Sequence, residues 1–209
     1  LGGKAEFVRV DLADDRAAPT IVDACIKKFG RVDALVNSAG LTDRASVLTA
    51  TSALWDRLYQ VNVKAPTFLM QECIKVMREQ GRAGTIVNIL SMNAHIGKTD
   101  LAIYSSTKAA LALLTKNAAQ AHRFDRIRIN GINMGWADTP GERDMQANTL
   151  GKGEEWLKAA GEQQPFGRLL SSDDVARLAL FLLSDASLPM TGALIDQEQW
   201  VFGGDPSRS

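Results

Sequence analysis

The spacing of hydrophobic residues predicts strands that alternate with helices. Short apolar runs of strand length are separated by longer stretches in which apolar residues recur every three or four positions. The first of these stretches carries one apolar stripe and stops at Gly30, as helices often do. Such alternation favours parallel strands joined by helical crossovers, with helices on both faces of the sheet. The predicted strands are residues 7–10, 32–36, 85–90, 127–132 and 194–195, and the predicted helices are residues 20–29, a short segment capped by Ser52, 56–80, 102–123, 154–160 and 172–182.

Composition is typical of a folded globular protein and argues against nucleic acid, a membrane or a metal ion as partner. Its 209 residues are 45% hydrophobic and 23% charged, and the formal net charge is zero. We expect one domain over residues 1–209, with neither nucleic acid nor a membrane as partner, because the chain has no net basic charge and no apolar run of about 20 residues. Cys25 and Cys73 lack metal-ligand spacing, so we expect no metal site and a reducing, cytoplasmic setting.

A tyrosine and a lysine four residues apart are the first candidates for chemistry. Tyr104 and Lys108 fall in the predicted helix 102–123, where positions i and i+4 share a face. The charge of Lys108 should stabilise a phenolate and lower the pKa of Tyr104, which would then exchange protons near neutral pH. Ser91 ends the preceding strand, and strand ends are where open α/β sheets bind ligands. Serine, tyrosine and lysine are therefore expected to converge on one substrate oxygen.

Small or polar residues follow the two earlier predicted strands. The tetrapeptide Asn37-Ser38-Ala39-Gly40 would form either a simple turn or a surface on which a flat ligand lies close to the backbone. Asp11 would either accept a hydrogen bond from an adenine or cap a turn. Both segments are thus candidates for ligand contact, with a purely structural alternative for each.

Four further positions are notable for their place in the pattern. Asn62 lies inside a predicted helix, where asparagine is unfavourable, and indicates either a local distortion or a hydrogen-bonded amide. Gly135 follows a strand and allows close approach, while Thr139 would cap a helix or touch a phosphate. His95 is expected to be an ordinary loop residue, because no acid or nucleophile pairs with it at a recognisable spacing.

Together these motifs resemble the short-chain dehydrogenase/reductase family, of the type with a Ser-Tyr-Lys-Asn tetrad. The similarity extends in the same order and spacing over nearly the whole chain. It is carried by Asp11-Leu12, Asn37-Ser38-Ala39-Gly40, Asn62, Ser91, Tyr104-x-x-x-Lys108, Ile127-Arg128-Ile129-Asn130, the segment from Gly135 to Thr139, Phe166-Gly167-Arg168 and Met190-Thr191-Gly192.

The resemblance implies an α/β fold, a Rossmann-type doubly wound parallel sheet, that binds NAD or NADP. It makes Tyr104 the general acid/base, which Lys108 would assist by lowering its pKa while holding the nicotinamide ribose. Ser91 would hydrogen-bond the substrate, and the backbone of Asn62 would position a water in a proton relay. The residues expected to contact the cofactor are Asp11, Leu12, Asn37, Ala39, Gly40, Tyr104, Lys108, Gly135, Ala137 and Thr139, with Asp11 near the adenine and the backbone after Gly135 near the carboxamide.

The chain also departs from the family pattern. The family usually has Asn where Ser38 stands and Pro where Met134 stands, and both changes are mild. No G-x-x-x-G-x-G phosphate-binding run occurs. In the family strand order 3-2-1-4-5-6-7, residues 7–10 correspond to strand 3 and residues 32–36 to strand 4. Strands 1 and 2, which would join them in the sheet, have no counterpart in this sequence. We therefore expect an N-terminally incomplete domain with strand 32–36 exposed at an edge, which is not a competent dehydrogenase by itself.

The function expected from the resemblance is interconversion of a secondary alcohol and a ketone. A 3-oxoacyl thioester reductase and a sugar or polyol dehydrogenase are alternatives, the latter because the polar run 196–199 could lie near a substrate pocket. An inert subunit that only binds or assembles is the non-enzymatic alternative. A homodimer or homotetramer is expected, built by the helices 56–80 and 102–123. The small residues thought to allow close approach there are Ala109, Ala110, Ala112, Ala118 and Ala119.

Overall fold

Four strands pair side by side in the order β1-β2-β3-β4, and every pair is parallel. The structure is a computed structural model that describes residues 3–153 and 155–204. Parallel neighbours need crossovers, and helices supply them here, so the expected α/β architecture is confirmed. The strands are β1 (Ala34–Asn37), β2 (Gly84–Ile89), β3 (Ile127–Met134) and β4 (Leu194–Gln197).

Helices cover both faces of the sheet because successive strand residues point to opposite sides. In β2, Ile86 packs into one apolar cluster with the helices 17–29, 65–79 and 102–121, whereas Val87 packs into another with the helix 172–183. Both side chains are fully buried. The helices are α1 (Ala17–Phe29), α2 (Ser52–Tyr59), α3 (Ala65–Glu79), α4 (Ala102–Ala121), α5 (Pro140–Asp144), α6 (Trp156–Glu162) and α7 (Ser172–Leu183).

Short irregular helices connect or extend these elements. Two π-helical turns, Gln60–Lys64 and Met145–Thr149, continue α2 and α5. Two 3₁₀ turns, Met92–Ala94 and Asp185–Ser187, follow β2 and α7. Among residues 3–153 and 155–204, no helix has the length and apolar character that crossing a membrane requires.

One predicted strand is absent, and one predicted cap is shifted by a residue. Residues 7–10 are not a strand, and Phe7 is 87% exposed. A strand needs a hydrogen-bonded neighbour, and the described chain places none beside this segment. The N-cap of α2 is Thr51 rather than Ser52, because Thr51 has the extended backbone of a cap and its hydroxyl accepts from Leu54 N at 3.2 Å.

The first strand lies at the edge of the sheet, as the sequence predicted. β1 pairs with β2 on one side, and Val36 is 41% exposed. An unpaired apolar edge of this kind invites association with other strands. The predicted helix stop at Gly30 is also confirmed, since this glycine adopts the left-handed conformation (φ 77°) and its N–H donates to Ile26 O.

A buried arginine fastens β3 to the end of α7. The guanidinium of Arg128 donates to Leu182 O at 3.0 Å, Ser187 Oγ at 2.7 Å and Ser184 O at 3.0 Å. The carbonyls at the C-terminus of a helix carry partial negative charge, so they suit a buried cation. They add to the hydrogen bonds that the Thr85 and Ser187 hydroxyl groups already donate to the same two carbonyls.

We predict that Arg128→Met lowers the free energy of unfolding by about 2–4 kcal/mol, because the three hydrogen bonds that the buried guanidinium donates are lost. Chemical denaturation measures the change. The control is Arg57→Met on the exposed surface of α2, which should alter stability by less than about 0.5 kcal/mol. Equal effects of the two substitutions would contradict the assigned role of Arg128.

Candidate active site

A large cleft opens where the strands end. Its volume is about 720 Å³, and it receives residues that follow each of the four strands at their carboxyl ends. Open parallel sheets bind ligands at this edge because loops from neighbouring strands diverge there. The residues that line the cleft include Gly40, Arg44, Ser91, Tyr104, Lys108, Gly135, Trp136, Ala137, Thr139, Glu142, Gln146 and Glu198.

Ser91 and Tyr104 meet in this cleft as predicted. Ser91 follows β2 and caps the 3₁₀ turn, where its hydroxyl accepts from Asn93 N at 3.2 Å. Tyr104 lies in the first turn of α4 and is 8% exposed. The Ser91 hydroxyl lies near the phenol, and its polar interaction by itself lowers the pKa of Tyr104. A substrate oxygen placed between the two hydroxyl groups would contact both.

The expected lowering of the tyrosine pKa is wrong for the protein without ligands. Burial raises the pKa of Tyr104 above its usual value, the Ser91 hydrogen bond opposes this, and the charge of Glu142 adds to the rise. The amine of Lys108 lies 5.9 Å from the centre of the ring and donates to Ile89 O at 2.9 Å. Desolvation of the phenolate therefore outweighs the lysine charge, and the phenol is protonated at neutral pH.

Lys108 is itself perturbed by burial. The side chain is 5% exposed, and burial lowers the pKa of Lys108 from 10.5 to about 8. Its amine forms no ion pair with a carboxylate among the described residues. The ammonium can therefore bind a polar ligand at the floor of the cleft without first leaving a salt bridge.

Asn62 lies in a local distortion of the helix and has a hydrogen-bonded amide, the two outcomes that the sequence predicted. It sits in the π-helical turn Gln60–Lys64, and its side chain is 1% exposed. The amide accepts from Leu41 N at 2.8 Å and donates to Leu41 O at 2.9 Å and Thr107 Oγ1 at 3.1 Å. Asn62 thus joins the loop after β1 to α4, the helix that carries Tyr104.

Two glycines of the cleft lie close to polar side chains. A Cβ on Gly40 would lie in contact distance of the Lys108 amine, at 3.4 Å, and of Asn62 Oδ1, at 3.5 Å. A Cβ on Gly135 would lie 2.2 Å from Glu198 Oε2, so the end of that flexible side chain would have to move. The predicted close approach of a cofactor at Gly135 stays a prediction. Glu198 lines the cleft, so the polar run 196–199 does reach a pocket.

Comparison with known proteins identifies the family. The family model described as "Enoyl-(Acyl carrier protein) reductase" matches residues 1–197. The chain is 35% identical over 206 residues to the short chain dehydrogenase trt9 of Aspergillus terreus, covering 91% of this chain and 84% of the relative.

This chain belongs to the short-chain dehydrogenase/reductase family. The resemblance noted in the sequence is thereby confirmed. Galactitol 2-dehydrogenase of Agrobacterium fabrum is 31% identical over 189 residues, covering 88% of this chain and 73% of that protein.

Solved structures of the family superpose on the fold. A xylitol dehydrogenase structure with NAD⁺ bound gives a TM-score of 0.80 at 26% identity, covering 91% of this chain and 76% of that one. ElxO with NADP bound gives 0.81 at 27% identity, covering 91% and 75%. The chain is accordingly an NAD(P)-dependent oxidoreductase of this family, acting on CH–OH groups.

The backbone at Ala137 fits the amide end of such a cofactor. Leu170 N donates to Trp136 O at 3.0 Å, and Asp138 N donates to Leu170 O at 2.8 Å. In parallel pairing the residue between these two bonds directs its own N–H and C=O away from the partner. Ala137, which lines the cleft, therefore presents a donor and an acceptor on the side opposite Leu170.

The other predicted cofactor residues lie away from the cleft or are used structurally. Asp11 caps a turn, since its carboxylate accepts from Ala13 N at 2.9 Å, and neither Asp11 nor Leu12 lines the cleft. Ala39 is exposed and outside its lining. Thr139 does line the cleft, and its hydroxyl also caps α5.

Asn37 acts from beneath the site rather than inside it. Its amide donates to Asn88 Oδ1 at 2.8 Å, and Asn88 donates to Thr115 Oγ1 at 2.8 Å. This buried chain of hydrogen bonds ties the end of β1 to β2 and α4. Asn37 thereby fixes the start of the loop that contains Gly40.

Sequence reasoning missed a polar cluster on the cleft wall. Glu142 Oε1 accepts from Trp136 Nε1 at 2.8 Å and from Gln146 Nε2 at 2.6 Å, and it lies 4.0 Å from Arg44 Nη2. A signal was present, because Thr139-x-x-Glu142 matches a capping box. The carboxylate is nevertheless turned toward Trp136 and Gln146.

The histidine expected to be an ordinary loop residue has polar partners distant in sequence. His95 Nε2 lies 3.3 Å from Asp196 Oδ1 and 2.9 Å from Asn133 Nδ2. Asp196 and Asn133 lie on adjacent strands, β4 and β3, so sequence spacing could not reveal the contacts. The group does not line the cleft.

Burial of Lys108 has a measurable effect on stability. Because the folded pKa of about 8 lies below the unfolded value of 10.5, the unfolded chain binds more protons between these pH values. The stability contributed by this residue therefore rises with pH across that window. Below pH 8 the full penalty of burying the charge applies, about 3 kcal/mol at about 1.4 kcal/mol per pH unit.

We predict that Lys108→Met raises the free energy of unfolding at pH 7 by about 2 kcal/mol, since the lost hydrogen bond to Ile89 takes back about 1 kcal/mol. The gain should shrink to nothing or reverse above pH 10.5. Denaturant unfolding of both proteins at several pH values measures the difference. Lys116→Met, at an exposed position of the same helix, is the control and should show neither effect. A gain that does not depend on pH would refute this explanation.

Proposed function

We propose that this protein interconverts a secondary alcohol and a ketone, with Tyr104 as the general acid/base. The observation that carries the proposal is the buried phenol of Tyr104 beside the Ser91 hydroxyl, at the carboxyl edge of a parallel sheet and above the amine of Lys108. This arrangement lets one substrate oxygen receive hydrogen bonds from both hydroxyl groups. Family membership supports the same chemistry.

The protonation state of Tyr104 suits reduction of a ketone. Burial raises the pKa of Tyr104, so the phenol carries its proton at neutral pH and can donate it to the oxygen as negative charge develops there. The bound cofactor would supply or accept the hydride. Ser91 would hold the oxygen in place, since its hydroxyl lies close to the phenol.

Lys108 and Asn62 would complete the proton path. Lys108 would bind ribose hydroxyl groups, and its charge would stabilise the phenolate when Tyr104 has given up its proton. The backbone of Asn62 would position a water, because the π-helical turn Gln60–Lys64 departs from α-helical hydrogen bonding there. The side-chain bonds of Asn62 to Leu41 hold this turn in place.

The cofactor would lie along the cleft from Gly40 to Thr139. The backbone of Ala137 would pair with the carboxamide, and Gly135 would allow the ring to approach closely. Asn37 and Ala39 would contribute by shaping the loop after β1, and Asp11-Leu12 would border the adenine. Both NAD and NADP are compatible with this assignment.

The names of relatives suggest two substrate classes. Galactitol 2-dehydrogenase acts on a polyol, and the 3-oxoacyl-[acyl-carrier-protein] reductase FabG of Chlamydia pneumoniae, 32% identical over 193 residues, acts on a thioester. An inert subunit that only assembles is the remaining alternative. Fluorescence titration with NADH and NADPH separates it from an enzyme, since an inert subunit would show no saturable signal.

A homodimer or homotetramer is also proposed. Exposed residues form one face of α4, where Leu113 is 60% exposed, and Phe68 on α3 is 42% exposed. Of the five alanines thought to serve this contact, Ala112 and Ala119 are instead buried in the core of the subunit. Both cysteines are free thiols, which suits a reducing cytoplasm.

We predict that Tyr104→Phe lowers kcat about 10²- to 10⁴-fold or more, because it keeps the ring and removes the proton. The protein is expressed from its complete reading frame, and turnover is followed by NAD(P)H absorbance. Cofactor affinity should change little. Tyr59→Phe is the matched control, since this tyrosine donates to Ser106 Oγ at 3.1 Å and does not line the cleft. More than a tenth of the original kcat in Tyr104→Phe would overturn the role of Tyr104.

We predict that Leu113→Arg converts the assembly to a smaller species, because the new charge would be buried in the contact. Light scattering at micromolar concentration measures the mass. Leu180→Arg, an equally exposed position on α7, should keep the mass of the unmodified protein. A monomeric unmodified protein would count against the proposed assembly.

A further inference from the structure

Three side chains gather around one carboxylate oxygen on the cleft wall. Trp136 and Gln146 both donate to Glu142 Oε1, and the guanidinium of Arg44 lies 4.0 Å from the same atom. Oε1 is therefore saturated, whereas no described residue donates to the second oxygen, Oε2. All four residues line the cleft that contains Tyr104.

Two buried polar atoms beside this carboxylate lack partners. Gln146 is 2% exposed, and its Oε1 accepts no hydrogen bond from any residue in the described ranges. The amide cannot be turned around, because its nitrogen is needed as the donor to Glu142. Arg44 Nε is likewise buried without an acceptor in the described part of the chain. Buried polar atoms without partners are costly, so a bound group that pairs with them is favoured.

The charges of the cluster decide which group fits. Asp100 forms an ion pair with Arg44 Nη1 at 2.5 Å. The charges of Arg44, Asp100 and Glu142 therefore sum to about −1. A second carboxylate or phosphate would be repelled. An ammonium could not accept from Arg44 Nε. Lys98 and Lys152 also line the cleft but are exposed, so solvent and salt screen their charges.

A hydroxyl group can pair with both unpartnered atoms, because it can donate one hydrogen bond to Gln146 Oε1 and accept another from Arg44 Nε. We propose that Arg44, Glu142 and Gln146 form a subsite for a further hydroxyl group of the substrate, so that the enzyme acts on vicinal diols and polyols. This inference rests on the proposed function of Tyr104. Glu142, Gln146 and Arg44 line the same cleft as Tyr104, so one polyol could contact the phenol and the subsite together.

The subsite would also reject simpler alcohols. A substrate without the further hydroxyl would occupy the cleft and leave the buried atoms of Gln146 and Arg44 unpaired. Sites built to hydrogen-bond a substrate hydroxyl discriminate strongly for this reason. An acyl chain of a thioester would meet the same polar wall, which disfavours that substrate class.

The test compares 2,3-butanediol with 2-butanol, which differ by one hydroxyl group, on the protein expressed from its complete reading frame with cofactor present. We expect kcat/KM to favour the diol at least about tenfold, and Gln146→Leu to reduce that ratio about tenfold. Binding of the two alcohols is also measured by saturation-transfer NMR, which needs no hydride transfer. The diol preference in binding should fall in the same variant.

Gln120→Leu is the matched control, since this glutamine is exposed on α4 outside the cleft lining. If Gln146→Leu fails to fold, Glu142→Gln keeps the side-chain shape and should reduce the ratio through loss of charge. Equal binding of the two alcohols, no binding of either, or a ratio unchanged by the folded variant would overturn the subsite. Preferential diol binding without turnover would uphold the subsite while refuting the proposed function.

Discussion

The site depends on the burial of one amine, that of Lys108, under the carboxyl edge of a parallel sheet. Burying an ammonium without a carboxylate partner is unfavourable, and its lowered pKa records that cost. The packing of α4 against β3 and the neighbouring helices supplies the compensating free energy. The surroundings then leave the amine accessible: Gly40 has no side chain to cover it, and Ile89 O occupies one of its three N–H groups. A lysine held in a salt bridge would be less available to bind a polar ligand.

Features that depend on local sequence were predictable. The four-residue spacing of Tyr104 and Lys108 survives as a shared helical face, and both residues reach the cleft with Ser91. The strands of the sheet were found because their apolar runs must be buried on both faces. Asn62 was recognised as unfavourable in a helix, and it does occupy a π-helical turn. In each case neighbouring residues in the chain determine the outcome.

Features that depend on distant residues were not predictable. The pKa of Tyr104 follows from how much water the fold removes, so the helical spacing of Lys108 gave the wrong direction. Residues 7–10 have strand composition, but pairing requires a neighbour that the described chain does not place there. Glu142 matches a capping motif, and its carboxylate is directed elsewhere by Trp136, which follows a different element. Asp174, at the corresponding position of α7, does complete its capping box.

Glu142 and Asp174 differ in how completely the polar groups around them are hydrogen-bonded. Asp174 is paired with Arg168, Arg177 and the Ser171 backbone, and the pKa of Asp174 falls accordingly. Beside Glu142, by contrast, Gln146 Oε1 and Arg44 Nε have no partner among the described residues, and the Glu142 charge disfavours the Tyr104 phenolate. A substrate hydroxyl that pairs with Gln146 and Arg44 would bind directly beside that charge. Recognition at the subsite and proton transfer at Tyr104 would therefore both depend on the surroundings of one carboxylate.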